Sequence, residues 1–138
     1  MSGGVHRHPV RVYWEDTDAG GVVYHASHVR FFERGRTEWL RALGVMQSRS
    51  ADRAAPDALF FVVRRMEVDY LRPARLDDLL DVETRVETLA PPRLVLAQRL
   101  LRDADVVAEA LVTVVAVGGN GRPRRLPPDL AARLGATD

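Results

Sequence analysis

The period of the apolar residues changes from helical to two near Phe60, and that change limits what the chain can fold into. Val29, Phe32, Trp39, Leu40 and Leu43 fall on one face at helical spacing. From Phe60 onward the period is two. Val62, Met66, Val68 and Tyr70 share one side against Arg65, Glu67 and Asp69. Leu80, Val82, Thr84, Val86 and Thr88 then alternate with Asp81, Glu83, Arg85 and Glu87. One amphipathic helix with several long strands has few ways to bury its apolar faces. The simplest is an α+β architecture, an antiparallel sheet of about five strands curled around one long helix. A sheet this small leaves an edge and a face uncovered, so pairing with a second copy is expected.

The other elements follow from turn and cap residues. Residues 9–14 read as a short strand, with Val10 and Val12 facing one way. The helix is expected to start near Ser27, a good N-cap residue, and to stop at Gly44. Residues 46–57 carry only a weak, polar pattern and read as a loop with at most a short helical turn. Pro73 ends the first long strand, and Pro91 and Pro92 force a turn before a strand over residues 93–102. After a turn at 103–105, residues 106–117 are apolar at nearly every position, as in a strand covered on both faces. Residues 126–134 read as a short terminal helix. A chain of 138 residues fits one domain, 1–138, with a frayed start over 1–8 that would leave His6 and His8 in solvent.

Composition removes several classes of function. A net charge of +1 gives no broad field for nucleic acid or an anionic membrane. The absence of cysteine excludes a disulfide framework, a thiol nucleophile and thiolate metal sites. No apolar run approaches the roughly 20 residues needed to span a bilayer. Residues 1–9 lack the apolar core of a secretory signal, so a cytoplasmic location is expected. All 20 basic residues are arginine, so no arginine stands out by type alone.

Residues 13–27 are the stretch that carries chemistry: Tyr13, Trp14, Glu15, Asp16, Thr17, Asp18, Ala19, Gly20, Gly21, Val22, Val23, Tyr24, His25, Ala26 and Ser27. A carboxylate and an imidazole lie close together between a strand and a helix start. Two glycines let backbone approach a ligand, and the helix start offers free amides at the positive end of a dipole. These parts suit attack on a polarised carbonyl. The same residues also suit a plain turn, with Asp16 and Asp18 closing Asx turns and His25 capping the helix. A calcium loop does not fit, because its fifth position would be Gly20 and its twelfth Ser27. His25 and His28 lie three apart, but no third zinc ligand is evident, so no metal is expected.

This segment resembles the signature of the 4-hydroxybenzoyl-CoA thioesterase family, and within it the YbgC-like thioesterases associated with the Tol–Pal system. The likeness continues through Phe31 to Arg34, Arg36 to Glu38, Phe61 to Met66 and Pro73 to Asp78, and spans roughly residues 9–128. The resemblance implies a hotdog fold and a homo-oligomer, with a dimer as the minimal unit and a dimer of dimers common. It implies hydrolysis of acyl-CoA thioesters without metal or organic cofactor, with an acyl carrier protein as another donor. Asp18 matches the family's catalytic carboxylate, and His25 matches the helix-start residue whose amide faces the thioester carbonyl. Gly21, Val23 and Tyr24 fall among the substrate-binding positions. Many relatives have tyrosine where this chain has Trp14.

Coenzyme A phosphates need cations, and Arg64, Arg65, Arg72, Arg75 and Arg93 are candidates, Arg64 and Arg65 first. Asp16 reads mainly as support for the turn, and Glu15 and Asp16 are expected to crowd Asp18. Arg36, in the middle of the helix stripe, needs a partner, for which Glu33 or a carboxylate across an interface would serve. A non-catalytic module binding acyl-CoA or acyl carrier protein would keep the fold but would not need Asp18 and His25 together. A hotdog dehydratase would need a different motif, which this chain lacks.

Overall fold

The computed structural model describes residues 4–45 and 58–135. Its elements are β1 (His6–Arg11), a single 3₁₀ turn (Trp14–Asp16), α1 (His25–Ala42), β2 (Phe60–Tyr70), β3 (Leu79–Ala90), β4 (Arg93–Arg102), β5 (Asp105–Val117) and α2 (Pro128–Gly135). The strands form one antiparallel sheet in the order β1-β3-β4-β5-β2. The sheet wraps α1, whose Phe31, Phe32, Trp39 and Leu40 are buried with Leu80, Val82, Leu94, Leu96, Leu100 and Val112. Burying each such side chain contributes about 1.5–3 kcal/mol.

Gly35 sets how closely α1 lies on the sheet. A Cβ there would stand 2.3 Å from Val82 Cγ1 and 3.3 Å from Gln98 Nε2. Gln98 fastens the contact: its Nε2 donates to the Phe32 carbonyl (3.0 Å) and to Thr84 Oγ1 (2.9 Å), and its Oε1 accepts from Arg36 Nη1 (3.1 Å). Arg36 therefore finds a neutral partner on β4. Burial works against its charge more than nearby Glu33 supports it.

Several boundaries differ from the sequence expectation, each for a local reason. β1 begins at His6, so His6 and His8 pair with Thr84 and Val82 instead of fraying into solvent. Trp14 lies in the 3₁₀ turn, outside the strand, because Asp16 Oδ2 takes the Tyr13 amide (2.8 Å) and folds the chain back. α1 starts at His25, two residues before Ser27. Ser27 is buried inside the first turn and accepts from Arg30 Nη2 (2.9 Å), while Tyr24 is the N-cap residue. Val29 is exposed, the buried stripe running through Phe31 and Phe32 instead.

Two bulges break the period-two pattern. The β2 register shifts between Val63 and Arg65, so Phe61 and Val63 pair opposite core residues Ala116 and Val114, while Val62 faces away from Met66 and Val68. A second shift between Val86 and Thr88 puts Leu89 against the core and turns Thr88 outward. An inserted residue reverses side-chain parity beyond it. β5 is covered on one face by this chain, with Glu109 and Leu111 open on the other. Gly44, at φ +88°, ends α1 as expected. The Val45 amide reaches Leu40 O (2.8 Å) and the Gly44 amide reaches Arg41 O (3.0 Å), a Schellman stop. The loop expected over 46–57 lies outside the described residues.

Candidate active site

The segment between β1 and α1 is held mostly by main-chain hydrogen bonds, with side-chain bonds from Asp16, Thr17 and Asp18. The Tyr24 amide donates to Asp16 O (2.8 Å), the Asp18 amide to Val22 O (2.9 Å), and the Val23 amide to Ala74 O (2.8 Å). Thr17 bridges Val23 and Val22 bridges Arg75. Asp16 is buried with its carboxylate on the Tyr13 amide, so it is structural support. Glu15 and Asp16 border a separate hollow with Arg11 and Arg34. Asp18 lines a different cleft, described next.

Asp18 is exposed at the tip of this loop. Its Oδ1 accepts the Gly20 amide (2.8 Å) and its carbonyl accepts the Gly21 amide (3.0 Å). Both glycines have a physical reason. A Cβ at Gly20 would come within 3.2 Å of Asp18 Oδ1, and Gly21 sits at φ +81°. The Asx turn is real, and it presents the carboxylate with one oxygen tied and the other without a hydrogen bond among the described residues.

Asp18 and His25 line one open cleft of about 370 Å³, together with Val22, Val23, His28, Tyr70, Leu71, Arg72 and Pro73. His25 is the first residue of α1, so its amide has no intrahelical acceptor. The amides of His25 and Ala26 have no partner among the described residues. The His25 imidazole lies between two aromatic rings, 4.4 Å from Tyr24 and 6.4 Å from Tyr70. A second hollow on the other side of Asp18 is lined by Trp14, Thr17, Ala19, Gly21 and Leu76. Trp14, 78% exposed, borders this one.

Of the arginine candidates, Arg72 lines the Asp18 cleft. Arg75 stands beside it through its bridge to Val22. Arg64 and Arg65 do not line the cleft within this chain. They lie at the β2 bulge, at least five residues from Tyr70, or about 17 Å along a strand. Behind the cleft, Arg102 Nη1 donates to Pro73 O (3.1 Å) and to Asp78 Oδ2 (2.9 Å), which also takes the Arg75 amide (2.9 Å). Burial acts to raise the Asp78 pKa. The Arg75 amide and the Arg102 guanidinium outweigh it and hold the carboxyl below its ordinary value.

Sequence reasoning passed over two residues of this cleft. His28, weighed only as a zinc ligand, is buried beneath the helix start. Tyr70, read as a strand-face residue, donates from its hydroxyl to the His25 carbonyl (3.0 Å). The signal for His28 was its position one turn beyond Tyr24 and His25. Nothing local could pair Tyr70 with a helix 45 residues earlier. Among the described residues, no cluster of three or more His, Cys, Asp or Glu is placed to hold a metal ion.

Known proteins share this architecture. The family described as the thioesterase-like superfamily matches residues 12–134. The acyl-CoA thioester hydrolase YbgC of Escherichia coli is 47% identical over 137 residues, covering 97% of this chain and 98% of its own. The acyl-CoA thioesterase YbgC of Haemophilus influenzae is 45% identical over 125 residues, covering 90% of each. The crystal structure of a probable thioesterase from Bartonella henselae superposes with a TM-score of 0.84 at 42% identity, over 89% of this chain and 99% of that one. A five-stranded sheet wrapped on one helix is, in this company, the hotdog fold. The chain belongs to the thioesterase-like superfamily, among its YbgC-like members.

Proposed function

We propose that this chain is an acyl-CoA thioesterase, hydrolysing an acyl-CoA thioester to free acid and coenzyme A in the cleft shared by Asp18 and His25. The observation that carries the reading is the meeting of an exposed carboxylate with the free amides of a long helix start. The thioester carbonyl oxygen is taken by the His25 amide, in the field of the α1 dipole. A donor of this kind is worth about 3–4 kcal/mol as negative charge develops. Asp18 then accepts a proton from an attacking water, or attacks the carbonyl itself to give an anhydride that water opens. Both routes end with the acid and a thiolate that takes up a proton, with the His25 side chain orienting the water or supplying that proton. Neither route calls for a metal or an organic cofactor. Arg72 and Arg75 are the cations nearest this cleft, and acyl carrier protein is an alternative donor of the acyl group.

The same reading makes the enzyme a cytoplasmic homo-oligomer, a dimer of dimers, built as one hotdog domain. The support for pairing is the sheet itself. β2 is an edge strand of 11 residues with Val62 and Val63 each about half exposed. Unpaired edges of that length are normally covered. Tyr70 of the open cleft ends the same strand, so a copy laid along β2 would add a wall to the site and bring its own Arg64 and Arg65 near it.

The test is release of thiol from acyl-CoAs of several chain lengths, read with a thiol-reactive dye to which this cysteine-free chain adds no background. Wild type turns over. Asp18→Asn abolishes turnover with the oligomer intact, and His25→Ala reduces it. Acyl-CoA binding without thiol release from any acyl-CoA or acyl carrier protein would establish the non-catalytic module instead.

A further inference from the structure

Two side chains outside the assigned pair converge on the first turn of α1. His28 Nδ1 lies 3.2 Å from the Tyr24 carbonyl oxygen and 3.3 Å from that of His25. A carbonyl oxygen only accepts, so Nδ1 carries the proton and the tautomer is fixed. Tyr70 Oη donates to the same His25 carbonyl (3.0 Å), and its ring meets His28 edge-on at 4.9 Å. Burial holds the His28 pKa below the ordinary histidine value, against the two carbonyl bonds and with a smaller lowering from nearby His25. The ring is thus a neutral donor at pH 7.

These contacts fall at a particular place in the covalent chain. The Tyr24 carbonyl and the His25 amide are two ends of one peptide unit. The His25 carbonyl and the Ala26 amide are the ends of the next. Among the described residues, these two amides are left without a partner at the helix start. A hydrogen bond accepted at the oxygen of a peptide polarises the unit and makes its N–H a stronger donor. It also fixes the plane of the peptide, and so the direction in which the N–H points. We propose that His28 and Tyr70 are positioning residues that aim and strengthen the His25 and Ala26 amides by hydrogen-bonding the carbonyls of the same peptide units. Their role rests on the thioesterase reading above. It assigns to the transition state a share of the catalysis carried neither by Asp18 nor by the His25 side chain.

The experiment compares His28→Leu, His28→Asn and Tyr70→Phe with wild type and Asp18→Asn. For each, kcat and KM are measured on one acyl-CoA and thermal unfolding is recorded. Asparagine places an N–H near the position of Nδ1, so it keeps the donor; leucine and phenylalanine remove donors. His28→Leu and Tyr70→Phe should each lower kcat about three- to tenfold with KM within twofold, because the lost polarisation matters only as charge develops. His28→Asn should retain kcat to within about threefold, the carbonyl bond being restored. Wild-type kcat in His28→Leu and Tyr70→Phe would overturn the proposal. So would an effect confined to KM, or an Asn variant as slow as the Leu variant. If wild type turns over and Asp18→Asn does not, those results sink the positioning role and leave the thioesterase intact. If wild type releases no thiol, both fall together.

Discussion

At the scale of single residues, the site depends on conformations that only certain side chains tolerate. Gly21 sits in the left-handed region with open space where a Cβ would go. Gly21→Ala therefore meets strain and no clash, and should destabilise the protein by about 1 kcal/mol. It should lower kcat more than that loss suggests, since the Gly21 amide closes the turn that presents Asp18; paired calorimetry and turnover measurements check this. Asp18→Asn is a clean probe for the opposite reason, because its amide oxygen can still accept from Gly20 and keep the loop. Asp78 gives a pH signature. Its folded pKa is depressed, so its stabilisation is complete above the ordinary carboxylate pKa near 4 and is lost as pH falls through the lower folded value. Asp78→Asn should therefore lower the melting temperature at pH 7 but narrow its gap from wild type as pH drops below about 4. A gap that stays constant with pH would exclude that linkage. Asp16 and Asp18 also show what was legible: the residue types announced a turn, and the turn formed. Which carboxylate faced the cleft came from the resemblance, because two aspartates two apart are equivalent to any rule of spacing.

At the scale of elements, periodicity was a good guide where each residue advances the chain by one regular step, and failed where it does not. The long helix and the strands over residues 60–70 and 80–88 were legible from apolar spacing, and the other strands from turn residues and a continuous apolar run. Val62 and Thr88 were assigned the wrong faces because bulges at Arg64 and Glu87 insert a residue that no local pattern announces. The start of α1 was misplaced for a related reason. Ser27 looks like a cap, but main-chain bonds from Tyr24 to Asp16 and from Val23 to Ala74 fix the entry two residues earlier. Two glycines, Gly35 inside α1 and Gly44 just past its end, separate packing from backbone conformation. Gly44→Ala should cost about 1 kcal/mol, mainly through its φ of +88°, since the Arg133 Nη1 that its Cβ would meet at 3.1 Å is the far end of a flexible side chain. Gly35→Val should cost on the order of 2–3 kcal/mol, because the added atoms drive into Val82 where helix and sheet are closest. Chemical denaturation with an unchanged m-value would confirm that both act on folded-state stability.

At the scale of the whole molecule, one chain leaves unfinished surfaces. A cross-strand row on the outer face of the sheet runs through Arg7, Glu83, Arg99, Glu109 and Asp69. Glu83 is paired to both arginines of that row. Leu111 is exposed in the next row, which explains why a nearly all-apolar β5 is covered by its own chain on one side only. If copies pair along β2, Val62→Lys should reduce the assembly measured by light scattering without unfolding the chain. It should also reduce turnover, since each cleft would lose its second wall. Full activity in a monomer would separate catalysis from assembly. Because residues 16–24 are shaped by backbone bonds and by the side chains of Asp16, Thr17 and Asp18, the side chains of Val22 and Leu71 that line the cleft carry little of the scaffold's weight. If the acyl group lies in this cleft, substitutions at those two walls should change acyl preference while leaving Asp18 and His25 where they stand.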